Sequence, residues 1–250
     1  MSKLINSVYI ILALAGITGA ALSYAEPESK EILRRADSAR GSMSGVTWKV
    51  TVESSENGRT NSLLFSVQAR GHDVLAQTME PPNHKGDKLL VLKNNMWFHK
   101  KDLSKPVPVS QRQKLLGNAS YGDIATTSYA DDYDATSILT DTINGEECSL
   151  MDLSAKTKKA TYDRIKYWIS KSRTVGLKAD YYTVSGKLFK SASMEYEHRI
   201  QMPGNQDQLF ISRMIIRDEM MSSNVTTMTF SPPALKEIPD HVFDLNLLKK

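Results

Sequence analysis

The residues whose types could do chemistry are five histidines, one cysteine and a knot of aspartates. His72, His84, His99, His198 and His241 never recur as His-x-His or His-x-x-x-His, so no helix or strand presents two imidazoles on one face to a metal. His72, His84 and His241 fall in predicted loops, and His99 and His198 at strand ends. Asp131, Asp132 and Asp134 make the densest acidic group, which reads as a solvated turn or helix cap. Gly41-Ser42-Met43-Ser44-Gly45 has the outline of a nucleophile elbow, but Met43 stands where the nucleophile would be. Cys148 has no histidine near it in sequence and sits in an apolar run, which predicts a small buried side chain. Lys156-Thr157-Lys158-Lys159 reads as a solvated hairpin tip. No phosphate-binding Gly-rich loop and no paired-Cys site is present. No catalytic residues, metal or cofactor are expected, and the chain does not read as an enzyme.

The elements around these residues begin with a targeting segment. Lys3 is followed by an apolar run, Leu4 to Leu22, that closes at Ser23-Tyr24-Ala25. This is the pattern of a cleaved signal peptide, residues 1–25, and implies export to the periplasm. The alternative is a retained anchor, but Asn6, Ser7, Gly16, Thr18 and Gly19 dilute the run. Cleavage leaves residues 26–250, a single domain large enough to bury a core without a staple. Its 31 Lys and Arg against 28 Asp and Glu are interspersed. That balance does not call for nucleic acid, although it permits transient contact with an anionic membrane surface.

Ile32, Leu33, Ala36 and Ala39 recur at helical spacing, so residues 28–40 are predicted as a helix. Period two then takes over. Val46, Trp48, Val50 and Val52 alternate with polar residues, Asn57-Gly58 turns the chain, and Phe65, Val67 and Ala69 return it. Similar strands follow to Phe230, interrupted between Leu115 and Asp134 by a helical insertion. The pattern predicts a mainly β (α+β) chain of about ten or eleven antiparallel strands. A sheet of that breadth must curl and find cover for one face. Its ten methionines beyond Met1, with the aromatic residues in or beside strands, suit either core filling or a hollow that accepts apolar ligands.

Four stretches together resemble the LolA-like family of outer-membrane lipoprotein-sorting proteins, in the branch associated with resistance-nodulation-division exporters. They are Glu31 to Asp37; Trp97-Phe98 with Pro106 and Pro108; Gly117 to Ile124 leading to Asp132-Tyr133; and Tyr167 to Ile169 through Tyr182 and Leu188, closed by Ile238 to Phe243. The resemblance implies an incomplete, strongly curled antiparallel β-barrel. The N-terminal helix and the short insertion would lie across its open side.

It further implies a carrier that holds the acyl chains of a lipoprotein or lipid in a hydrophobic cavity and shuttles them from inner to outer membrane. The other reading is a ligand-free accessory module of an inner-membrane exporter. Strand parity selects Trp48, Val50, Val52, Phe65, Val67, Leu90, Tyr167, Tyr181, Met194, Tyr196, Ile211 and Met228 as the cavity wall. The partners expected are the lipid or lipoprotein cargo, an exporter of the resistance-nodulation-division type and the membrane surface, with the protein a monomer.

Overall fold

The computed structural model describes residues 26–125, 128–204 and 206–248. The export segment read at residues 1–25 lies outside them. Helix α1 (Glu26–Ser38) comes first, followed by β1 (Val46–Glu56), β2 (Arg59–Arg70), β3 (Asp73–Glu80), β4 (Lys88–Leu92), β5 (Asn95–His99) and β6 (Val107–Pro108). The predicted insertion holds β7 (Lys114–Leu116), β8 (Ala119–Ser120), α2 (Tyr121–Ala125) and α3 (Tyr129–Asp132). Then come β9 (Tyr133–Ile143), β10 (Glu146–Ala155), β11 (Arg164–Ser170), β12 (Gly176–Tyr182) and β13 (Leu188–Glu195). A hairpin of β14 (His198–Met202) and β15 (Gln206–Phe210) precedes β16 (Arg213–Asp218), β17 (Val225–Phe230) and β18 (Ala234–Leu235). A 3-10 turn, Asp240–Phe243, lies in the C-terminal tail.

Fourteen strands form one antiparallel sheet in the order β6-β5-β4-β3-β2-β1-β17-β16-β13-β12-β11-β10-β9, with β18 paired to the start of β1. The count exceeds the ten or eleven predicted. Several additions are only two residues long, too short for periodicity to reveal, and the run after Leu188 is two strands, broken after Glu195. The sheet is not closed into a barrel: β6 and β9 are its two free ends. Even so, residues from near the two ends meet. Lys159, after β10, donates to Asn95 Oδ1 (2.9 Å), Asn94 reaches Asp132 (3.4 Å), and Arg112 pairs with Asp163 (2.7 Å). The chain from β6 to β9, carrying α2 and α3, crosses between these ends.

Alternation decides which face is buried. In β1, Val46, Trp48, Val50 and Val52 are buried and the residues between them are more exposed. One connected core runs along this inner face from Val74 and Val91 to Met151 and Leu153, and includes Leu33 and Ala36 of α1. Helix α1 ends where Gly41 adopts φ +113° beneath the Trp48 ring, a space that a side chain at this position would invade. The β14–β15 hairpin lies against the end of α1 through Gln208 to Ser38 Oγ (2.7 Å), and Ile211 N–H donates to the Ala39 carbonyl (2.9 Å). On the outer face, the tail residues Ile238, Phe243 and Leu248 cover Leu90 in a second cluster. Among the described residues no helix is long and apolar enough to cross a membrane.

Gly176 packs directly against the Tyr167 ring, and a Cβ there would overlap the phenol. Gly176→Ala is expected to cost about 1–3 kcal/mol by overpacking, read as a lower midpoint in urea unfolding. An unchanged midpoint would mean that the ring moves aside freely.

Candidate functional site

All twelve residues assigned to the cavity wall are buried. Eleven of them share the inner-face core: Trp48, Val50, Val52, Phe65, Val67, Tyr167, Tyr181, Met194, Tyr196, Ile211 and Met228. Leu90 does not. In β4, Leu89 and Val91 face inward, so Leu90 points outward into the tail cluster. Three consecutive buried residues, Leu89 to Val91, carry no parity signal, and the tail that buries the outer one comes from the far end of the sequence.

These side chains are packed against one another and against residues that sequence reasoning did not select. Tyr129 stands edge-on to Tyr133 (5.3 Å between centroids) and to Tyr167 (5.2 Å), and Tyr162 stacks on Tyr181 (3.9 Å). Trp48 meets Phe210 edge-on at 5.5 Å. Burial pushes the phenols of Tyr129, Tyr133, Tyr162, Tyr167 and Tyr181 up, which keeps this aromatic layer uncharged. The space between Trp48, Val74, Val91, Ile124 and Ser128 is about 10 Å³, at the limit for a single water. At this place the inner face is packed closely by the protein's own side chains.

Polar contacts fix the short helices over this layer. Tyr162 OH donates to Asp123 of α2 (2.8 Å), and the Ser120 N–H donates to the same carboxylate (2.8 Å). Asp37, buried near the end of α1, accepts the Ala130 N–H of α3 (2.9 Å). The Arg40 guanidinium lies 5.0 Å from the Tyr129 ring centroid. Burial raises the Asp37 carboxyl to about 7, against the opposing pull of the Ala130 N–H and Arg40. Asp37 and Arg40 stand four and seven residues after Leu33, on the face of the apolar stripe, but their charge gives no sign that they are buried.

Apolar space does remain at one end of the inner face. Leu63, Phe65, Leu89, Phe98, Leu115 and Tyr121 line a cleft of about 130 Å³ between β2–β5 and the β7–α2 segment. Phe98 and Tyr121 face each other at 6.0 Å. His84, Asp87 and Lys88 also border the cleft, and the His84 ring contacts the Asp87 carboxylate at 3.2 Å. Ligand pockets usually measure about 300–1,000 Å³, so this cleft admits only the end of an apolar chain. Of the predicted wall residues, Phe65 alone reaches it.

The other residues singled out for chemistry do not converge. No group of three or more metal-type side chains forms among the described residues. Cys148 is buried and burial raises its thiol, as its apolar surroundings suggested. His72 joins the β2–β3 turn to α3 through Ser128 (2.6 Å) and Asp131 (3.2 Å). The acidic cluster makes contacts across the fold instead, with Lys30 3.8 Å from Asp131 and Lys156 3.6 Å from Asp134.

A family model described as "-like: Uncharacterized protein" matches residues 71–250. No curated protein matches the chain. Among solved structures, the LolA superfamily protein of Nitrosomonas europaea is 25% identical with a TM-score of 0.76, over 86% of this chain and 96% of that one. A DUF1329 family protein from Desulfovibrio piger (17% identical, TM-score 0.73, 89% and 98% covered) has the same fold. So does a domain assigned to outer membrane lipoprotein sorting from Vibrio parahaemolyticus (15%, 0.73, 88% and 98%). With an inner-face core capped by α1, α2 and α3 on an open antiparallel sheet, the chain belongs to the LolA-like family.

Proposed function

We propose that this protein is a periplasmic carrier that takes acyl chains of a lipid or lipoprotein into its inner face and shuttles them between membranes. The observation that carries the reading is the apolar cleft lined by Leu63, Phe65, Leu89, Phe98, Leu115 and Tyr121, of which Phe65 and Leu89 belong to the core of a LolA-like sheet. The contacts of Asn94, Asn95 and Arg112 with residues beside β9 and β10, at the other end of the sheet, support an incomplete, curled barrel whose open side the helices cover. An acyl chain longer than the cleft needs α2 and α3 to move, with the aromatic layer re-packing around it. Each methylene buried would contribute about 0.8 kcal/mol, and two chains would hold where one binds marginally. Release to an acceptor, with an exporter of the resistance-nodulation-division type as a candidate partner, would need no covalent step. The protein would act as a monomer.

The close packing of the aromatic layer favours a second reading, in which the same fold is a ligand-free accessory module of an exporter. Two measurements separate them. For a carrier, protein purified from its host yields co-extracted lipid by mass spectrometry, and it takes up a dansyl-labelled fatty acid saturably. Leu63→Trp, which fills the cleft, is expected to weaken that uptake at least tenfold, about 1.4 kcal/mol, while the melting temperature holds. No bound lipid and no uptake by the unaltered protein would sink the carrier reading and leave the module.

The Asp37 contact between α1 and α3 gives the cover a pH dependence. A carboxyl raised in the folded state from 3.8 to about 7 contributes stability that is complete below pH 4 and is lost as pH climbs towards 7. Unfolding midpoints of the unaltered protein should therefore fall across that window relative to those of Asp37→Asn, whose side chain does not titrate. Parallel curves for the two proteins would refute the assignment.

A further inference from the structure

The strand register gathers six connections at one end of the sheet. Pairing of Ser55 with Thr60 and Val225, of Lys190 with Asp218, and of Arg164 with Tyr182 and Ser154 puts the β1–β2, β16–β17, β12–β13 and β10–β11 connections together. Pairing of Leu64 with Glu80 and of Lys88 with His99 adds the β3–β4 and β5–β6 connections. The apolar cleft opens at this same end, since Leu63, Thr78, Lys88 and Phe98 all lie beside these connections.

Two properties concentrate there. Of the seven exposed large apolar side chains among the described residues, Leu103, Val184, Met220 and Met221 sit in these loops, with Val184 86% and Met220 64% exposed. Exposed apolar residues scattered singly need no explanation, but a group at one end marks a contact site. The same six connections (57–58, 81–87, 100–106, 156–163, 183–187 and 219–224) hold eight Lys and Arg against four Asp and Glu. The chain as a whole has a surplus of only four. Three of the four carboxylates are already engaged: Asp163 by Arg112, Asp87 by His84 and the Lys101 N–H, and Glu219 by the Ser191 hydroxyl. Cations and apolar tips are also interleaved. Lys156, Lys158 and Val184 border one surface depression, and Leu103 lies in the run Lys100-Lys101-Asp102-Leu103-Ser104-Lys105.

We propose that this end of the sheet docks on a bilayer surface bearing anionic headgroups, with Val184, Met220 and Met221 entering the interfacial layer and the lysines lying over the phosphates. Apolar tips alone would fit a hydrophobic protein partner equally well. The surplus of cations around them is what anionic lipid complements, and it is the arrangement by which peripheral proteins combine apolar burial with electrostatic attraction. Docking in this orientation would set the mouth of the cleft against the lipid. The proposal goes beyond the carrier reading and does not depend on it, because attachment to the surface requires no cargo.

Flotation of the purified protein with vesicles tests it. Binding is expected to an equal mixture of phosphatidylcholine and phosphatidylglycerol, not to phosphatidylcholine alone, and to weaken as salt rises. The double variant Met220→Ser, Met221→Ser and the double variant Lys158→Glu, Lys187→Glu should each lose at least tenfold in vesicle affinity, with melting temperatures unchanged. Leu235→Ser, which alters an exposed leucine paired at the opposite end of β1, should bind like the unaltered protein. Failure of the unaltered protein to float with anionic vesicles overturns the proposal, as does an equal loss in Leu235→Ser. Protein that takes up dansyl fatty acid in solution yet fails to float would remove the docking surface and leave the carrier standing. Protein that floats but takes up no fatty acid would do the reverse.

Discussion

A fourteen-stranded sheet with valines, isoleucines and tyrosines alternating along most of its strands cannot leave that face to water. At about 25 cal/mol per Å² of apolar surface removed from solvent, covering such a face outweighs any single contact in the molecule. The chain has little helix with which to do it: α1 has thirteen residues, α2 five and α3 four. Large side chains supply the rest. Tyr129, Tyr133, Tyr162, Tyr167 and Tyr181 occupy the depth between sheet and helices. Their ring geometry, edge-on or stacked, is that of side chains that fit together.

Filling an interior with tyrosine brings hydroxyls into it, and these select their neighbours. Tyr162 gives its proton to Asp123 and thereby ties α2 to the loop before β11. Tyr133 OH both donates to the Tyr162 carbonyl and accepts its N–H, each at 3.1 Å. The short helices therefore rest on a few directional contacts rather than on length or helical propensity. Four- and five-residue helices have little stability of their own. Cover of this kind holds its place through specific partners, and changes to those partners govern how readily it shifts.

Local periodicity made much of the fold legible. The alternation of Val46, Trp48, Val50 and Val52, the Asn57-Gly58 turn and the spacing of Leu33 with Ala36 each report an element and its buried side. Eleven of the twelve wall positions face inward because period two survives burial on one face. Leu90 escaped because the C-terminal tail buries the outer face of β4 as well, a contact across some 150 residues that no local pattern encodes. Asp37 and Arg40 escaped for a related reason. Charged residues on a helical stripe read as solvent-facing until α3 is seen to lie over them. What periodicity could not distinguish was a hollow from a filled interior, because apolar residues turned inward look the same in both. Tyr129 and Tyr133, from the segment that breaks the strand pattern, and Tyr162, from the β10–β11 connection, pack into it.

An open sheet also has a rim of unsatisfied amides, and β9 carries the longer one. It spans eleven residues, pairs only with β10, and exposes Leu139 by 61%. Such a border invites a neighbouring chain to add a strand and so begin a fibre. Asp134 and Asp141 interrupt it at intervals, and Asp141 is held in place by the Trp168 indole N–H at 2.7 Å. Stacking two copies of this strand would bring carboxylates together out of water, a repulsion that grows with each molecule added. The polymer is thereby discouraged at its first step, and the sheet is free to stay open.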